Sequence, residues 1–337
     1  MRLASLLLCF CSVGALSAEV VVTESHRLTP VLPGIYLAQT AAPLFNSNAL
    51  IIVNAEDVLV VDSHITPAKG QQLVESIKAV TDKPITTLVN SHFHYDHAHG
   101  NQSFPAGVQI IGHEFTRMKM AGEPLQEHTF VRGLAGTKGW VERLRAQVEA
   151  AGSEDEAAKA QAQLDVMQAH LDSWHEVAPV APDVTLKERL TLFRGDREIQ
   201  LLFLGRAHTG GDVSVYLPKE KLIFTGDMML AGPSWLGDGY VDEWDETLEA
   251  LKQLDFHVIV PGHGPAFTDR SRIDYVQAFY RDLWTKTEAL YQRGVPIEEA
   301  AGQIDMTNHK ESLGINAPGF DPLGVARMYQ RMEELGL

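Results

Sequence analysis

The sequence predicts a mixed α+β fold, one domain carrying a helical insertion and a helical C-terminal tail. Three observations predict it. Short apolar runs bounded by turn residues recur in both halves of the chain, residues 114–180 are instead rich in Ala, Glu, Gln and Lys, and beyond residue 269 large apolar residues fall at helical spacing. A chain of 337 residues with 45% hydrophobic content is ample for a substantial core.

The chain opens with MRLASLLLCFCSVGALSA, in which Arg2 precedes an apolar stretch and small residues stand at Ala15, Ser17 and Ala18. This reads as an export signal over residues 1–18, cleaved after Ala18. The stretch is short of the ~20 apolar residues that a bilayer span needs. The expected product covers residues 19–337, periplasmic or secreted, with no stable membrane insertion after signal cleavage. Both cysteines, Cys9 and Cys11, lie inside the leader, so the mature chain is expected to have no disulfide and no thiolate ligand. A formal net charge of −16 offers no basic stripe for phosphate backbones, which with export sets nucleic acid aside and leaves a small-molecule substrate.

Strands are predicted at residues 50–53, 58–61, 87–89 and 108–111, with a helix over 67–80 whose Leu73, Ile77 and Val80 share one face. Strand signals vanish over 114–180, where SEDEAAKAQAQLDVMQAHLDSWHEV is the most helical part. Such an insertion either packs on the surface or forms a lid. Strands resume at 199–204, 213–217, 222–224 and 257–260, with a helix over 246–254 between the last two. Tyr275, Phe279, Leu283 and Leu290 then mark the helical tail, about 269–337.

One segment carries the chemistry. In Leu88-Val-Asn-Ser-His92-Phe-His94-Tyr-Asp96-His97 a strand runs into three histidines and an aspartate within six residues. In extended backbone, side chains two apart share a face, so His92 and His94 can grip one ion together. As the chain turns, Asp96 and His97 can face a second position ~3.5–4 Å away. Further candidates stand downstream, each ending an apolar run beside glycine: His208 in HTGG, Asp227 in TGD and His263 in PGHG.

These motifs, HFHYDH, HTGG, TGD and PGHG in that order, resemble the metal motifs of the metallo-β-lactamase superfamily, and Asp62 in VVDS matches the aspartate that family places after an early strand. The resemblance runs from about Asn48 to Gly264 and leaves the insertion and the tail uncovered. It implies an αββα sandwich with the metals on loops at one edge. It further implies two Zn²⁺ per chain, the first held by His92, His94 and His208, the second by Asp96, His97 and His263, with Asp227 bridging. The implied activity is hydrolysis of an ester, thioester, lactone or amide carbonyl by metal-activated water, with Asp96 as the catalytic residue that orients it.

Asp227 departs from the zinc β-lactamases, which usually carry cysteine or serine near that place, and agrees with thioesterase, lactonase and nuclease relatives. A zinc β-lactamase is therefore the runner-up. A mononuclear iron oxidoreductase like the sulfur dioxygenases is a further alternative, since ligand identity does not exclude iron. A non-catalytic binder would require a lost ligand, and none is lost.

Among the other histidines, His64, His99 and His113 adjoin motif strands and are candidates for lying near the metals, while His26, His128, His170, His175, His257 and His309 read as solvated or locally bonded. Asp212 reads as a support for the HTGG loop. Phe93, Tyr95, Trp235 and Tyr240 are candidates to line a pocket.

Overall fold

A computed structural model describes residues 19–337; the leader and its two cysteines lie outside the described residues. The first sheet holds β1 (Val21–Val22), β2 (His26–Leu32), β3 (Ile35–Thr40), β4 (Ala49–Val53), β5 (Val58–Val61), β6 (Ile85–Val89), β7 (Gln109–His113) and β8 (Val184–Leu186), side by side in sequence order. Pairing is antiparallel from β1 to β5 and parallel from β5 to β8. The second sheet holds β9 (Arg189–Arg194), β10 (Arg197–Phe203), β11 (Val213–Leu217), β12 (Leu222–Gly226) and β13 (Val258–Pro261), antiparallel except for the β12–β13 pair.

The two sheets face each other. Leu50, Ile52, Leu59 and Val61 of the first pack on Val213, Val215, Leu217 and Phe224 of the second. The alternate residues point outward and are buried as well. Ile51, Val58 and Val60 lie under Leu73 and Ile77 of α1 (Pro67–Ile77), while Ile223 and Ile259 lie under the helices of the other flank. Burial on both faces is why β4, β5, β11 and β12 read as continuous apolar runs rather than alternating ones.

Between β6 and β7 lies the one-turn α2 (Tyr95–Ala98). The insertion consists of α3 (Glu114–Ala121), α4 (His128–Glu149) and α5 (Glu154–Ser173), closed by a 3₁₀ turn at Trp174–Glu176, and contains no strand. Helices α4 and α5 pack on one another through Val141, Leu144 and Met167. The other flank is built from α6 (Val241–Lys252), α7 (Ser271–Tyr291), α8 (Ile297–Gln303), α9 (Lys310–Leu313) and α10 (Pro322–Leu335). The architecture is thus the expected αββα sandwich, with the insertion and the tail both helical.

Some elements differ from the sequence reading. Strands β1, β2, β3, β8 and β9 are absent from the sequence reading: β1 is two residues long, β2 contains Arg27 and Pro30, β8 is three residues long, and β9 is an edge strand whose Phe193 is 69% exposed. Helix α6 begins at Val241 rather than 246, because Val241 and Trp244 are buried amid an otherwise acidic first turn. In α7, Tyr275 is exposed, and the buried face is Ile273, Val276, Phe279, Tyr280 and Leu283.

The tail is fastened by Arg331, buried on α10, whose guanidinium donates to Asp242 Oδ1 and Oδ2 at 3.1 and 2.6 Å and to Glu334 Oε2 at 2.6 Å. Removing one partner of a buried ion pair costs about 3–5 kcal/mol, because the other charge is left unpaired. Arg331→Met is therefore expected to lower unfolding free energy in urea by about 3 kcal/mol; a change below about 0.5 kcal/mol, the range of ordinary surface substitutions, would contradict this fastening.

Candidate metal centre

Each of the seven candidate residues follows the end of a strand. After β6, Asn90 and Ser91 lead to His92 and His94, and Phe93 between them turns away into a small cluster with Ala98 and Met120. Helix α2 then delivers Asp96 and His97. His208 lies on the loop after β10, Asp227 directly follows β12, and His263 stands two residues past β13. All seven meet at one edge of the sandwich, although they come from four separate stretches of chain.

Their donor atoms form two triads. Within His92, His94 and His208 one ligand atom from each lies within 4.8 Å of the others, and the same holds for Asp96, His97 and His263; a third such group, His92, His97 and Asp227, spans the two. Asp227 stands between the triads, its Oδ2 3.5 Å from both His208 Nε2 and His263 Nε2, and its Oδ1 3.5 Å from His97 Nε2. Asp96 Oδ2 lies 3.1 Å from His263 Nε2 and 3.3 Å from His97 Nε2. Glycine is required beside this cluster. A Cβ at Gly262 would sit 2.2 Å from Asp227 Oδ1, and Gly226, at φ 52°, adopts the left-handed backbone that turns Asp227 inward.

The residues fit a metal. Buried polar atoms are normally hydrogen-bonded, yet His92 Nε2, Asp96 Oδ2 and Asp227 Oδ1 are buried here with no hydrogen-bond partner. Imidazole nitrogens and carboxylate oxygens are the donors that zinc takes.

A second layer of side chains aims the ligands. Asp62, buried and held at φ 63°, accepts from His97 Nδ1, Ser91 N and Ser91 Oγ, each at 2.7 Å. These three bonds sustain a backbone conformation that is costly for a residue with a Cβ. On the other triad, His94 presents Nδ1 to His208 Nε2 at 2.9 Å and directs Nε2 to Asp238 Oδ2, also at 2.9 Å. Burial works against the charge of Asp238, but the bond from His94 and the neighbouring His128 outweigh it and hold the carboxyl below its usual range. A carboxylate on the outer nitrogen of a metal-binding histidine fixes its tautomer and orientation.

Asp238 escapes the sequence reading. It sits among Gly232, Gly237 and Gly239 in a loop with no motif, and the only signal there was the flanking pair Trp235 and Tyr240. The reading of Asp212 agrees with the structure: it accepts from Thr209 N and Oγ1, and burial pushes its carboxyl up to about 7 against those bonds. His64, His99 and His113 do not join the triads. His64 bonds His26, His99 packs beside Phe130, and His113 caps α3.

The model of the metallo-beta-lactamase superfamily matches residues 42–263, about two thirds of the chain. The chain belongs to the metallo-beta-lactamase superfamily. Among superfamily relatives, it is 23% identical to the 2,4-dinitroanisole O-demethylase subunit alpha of Nocardioides sp. (strain JS1661), covering 84% of this chain and 73% of that one. It is 22% identical to the linear primary-alkylsulfatase of Pseudomonas sp. (strain ATCC 19151) over 75% of its own length, and spans about half (49%) of that protein. A solved metallo-beta-lactamase from Pontibacter korlensis superposes with a TM-score of 0.55 at 19% identity, over 76% of this chain and 99% of that one. The superfamily is generally hydrolytic, and its members bind metal ions.

In this superfamily member the surroundings shift His92 and His208 in the opposite direction from His97 and His263. Burial and the surrounding histidines hold His92 well below its ordinary value and His208 at about 3, so the imidazoles are neutral. Burial opposes charge on His97 and His263 too, but Asp96 and Asp227 outweigh it, raising His97 well above its ordinary value and His263 to about 10. A metal entering the second triad must displace those protons. Binding of a divalent metal is therefore expected to release at least one proton per chain at pH 7 and to weaken as pH falls. Calorimetry in two buffers of different ionisation enthalpy measures the release; a heat independent of buffer would contradict it.

A cavity of about 380 Å³ opens on the cluster, reached by His94, Asp96, His208, Asp227 and His263. Tyr95 and Trp235 line it as expected; Phe93 and Tyr240 do not, Tyr240 lying instead under the guanidinium groups of Arg206, Arg327 and Arg331. The insertion forms the opposite wall, so it is more than a surface addition.

Proposed function

We propose that the chain is an exported hydrolase with two zinc ions that cleaves the carbonyl of a small-molecule ester, thioester, lactone or amide. The observation that carries this reading is the pair of triads with Asp227 between them, opening on a cavity. His92, His94 and His208 would hold one ion, Asp96, His97 and His263 the other, and Asp227 both. Two zinc ions so held supply Lewis acidity and a water activated near neutral pH.

The side chains do the rest. Asp96, buried at the metal end of the cavity, is placed to accept a hydrogen bond from the attacking water and orient it. Asp62 and Asp238 keep His97 and His94 aimed. Export is supported by the leader pattern at Arg2–Ala18, and among the described residues no helix is long and apolar enough to cross a membrane.

Turnover of a thioester, a lactone, a simple ester and a chromogenic cephalosporin by the purified protein, with and without a chelator, tests the reading. Chelator-sensitive turnover of the first three is the expected result. Preference for the cephalosporin would transfer the assignment to a zinc β-lactamase, and turnover of none would overturn it.

A further inference from the structure

We infer that the cavity beside the triads is a subsite for an unbranched hydrocarbon chain, so that the substrate is an ester or thioester of an aliphatic acid. The inference rests on the hydrolase reading for the reaction but on the wall of the cavity for the chain. That wall comes from the insertion. Thr129, Gly133, Gly136, Thr137 and Trp140 of α4 all line the cavity, and their spacing of four, three, one and three residues puts them on one helical face. Met167, His170 and Trp174 from α5 and its closing turn complete it, opposite Ile65 and Tyr95.

Two of those α4 residues are glycines inside a helix, where each costs about 1 kcal/mol relative to alanine. Gly133 is explained by packing, since a Cβ there would meet the Tyr95 ring at 2.5 Å. Gly136 is not. A Cβ on it would meet nothing within 4 Å, so its missing side chain leaves open the space along the helix face.

Three of the polar side chains along the cavity are engaged within the protein. Thr137 Oγ1 donates to Gly133 O at 2.9 Å. His170 Nε2 accepts from Trp174 Nε1 at 3.3 Å while its buried Nδ1 has no partner, and burial holds the ring at a pKa of about 4, hence neutral. Arg132, at the rim, donates to Asp321 Oδ2 at 3.0 Å. The wall therefore offers aromatic and aliphatic contact without a free charge, while every ionisable group free to meet the reacting bond lies at the metal end. A ligand complementary to both ends has a polar head at the triads and an apolar tail along α4. The volume of about 380 Å³ sits toward the lower end of the range for small-molecule sites, enough for one chain.

The test separates binding from turnover. Hydrolysis adds water across the acyl C–O or C–S bond and yields a carboxylate, so the saturated carboxylates of four, eight and twelve carbons are product mimics whose binding needs no catalysis. Binding of their sodium salts to the zinc-loaded protein is measured by calorimetry, beside hydrolysis of the matching p-nitrophenyl esters. Affinity is expected to rise roughly three- to fourfold per added methylene until the cavity is full. Thr137→Phe, which fills the wall, is expected to lower twelve-carbon affinity at least tenfold and to move the best length to a shorter chain. Gly136→Leu, whose added side chain meets no protein atom at Cβ, serves the same end should Thr137→Phe fail to fold. Graded binding without ester turnover would sustain the subsite while the hydrolase reading falls. Turnover with affinity that does not change with chain length, or twelve-carbon binding unaltered in the folded variants, would overturn the subsite and leave the hydrolase reading standing.

Discussion

His94→Ala is expected to abolish hydrolysis while leaving the circular dichroism spectrum of the protein as it was. His94 is buried at the cavity floor and carries no load in the sheets; its two ring nitrogens face His208 and Asp238. Losing it removes one third of the first triad and takes from the Asp238 carboxylate its partner at 2.9 Å. The fall in metal affinity should exceed the roughly 10–100-fold that attends loss of a supporting residue alone. Rate and metal content are to be measured on the same preparation. Turnover at the wild-type rate would contradict the mechanism, whatever the metal content.

The second large effect is expected at Asp238. Asp238→Ala removes the acceptor from His94 Nε2, 2.9 Å away, without touching an atom of either triad. Metal affinity at the first triad should fall about 10–100-fold, read by competition with a chromophoric chelator. Asp238→Asn, which keeps an acceptor oxygen but not the charge, should fall between the two. The loop also ties the insertion to the centre, since Asp238 Oδ2 lies 3.5 Å from His128 Nε2 at the start of α4, and it meets the tail where Trp235 Nε1 donates to Asp321 Oδ2 at 3.2 Å. Equal metal affinity in Asp238→Ala and wild type would remove Asp238 from the account.

Much of the centre was legible in the sequence because its chemistry is local. His92 to His97 follow one strand, and each later ligand ends an apolar run beside a glycine that the close packing requires, as at Gly226 and Gly262. The buried strands β4, β5, β11 and β12 were legible for the same reason that they are stable: both their faces are covered. What escaped depends on contacts distant in the chain. Asp238 lies 144 residues from His94 and only folding joins them. Strands β2 and β9 are set by their neighbours in the sheet rather than by their own composition. The insertion was legible as helix, with a lid over the site as one of its two readings; which of its residues face the cavity was not, because the need for Gly133 appears only once Tyr95 stands opposite.

In the proposed reading His92, His94 and His208 would hold one metal ion, Asp96, His97 and His263 a second, and Asp227 would serve both. Elemental analysis of the purified mature protein tests it most directly. About two zinc ions per chain are expected, falling together with turnover on chelation. About one iron per chain and no hydrolysis would contradict it and move the protein to the oxidoreductase side of its superfamily.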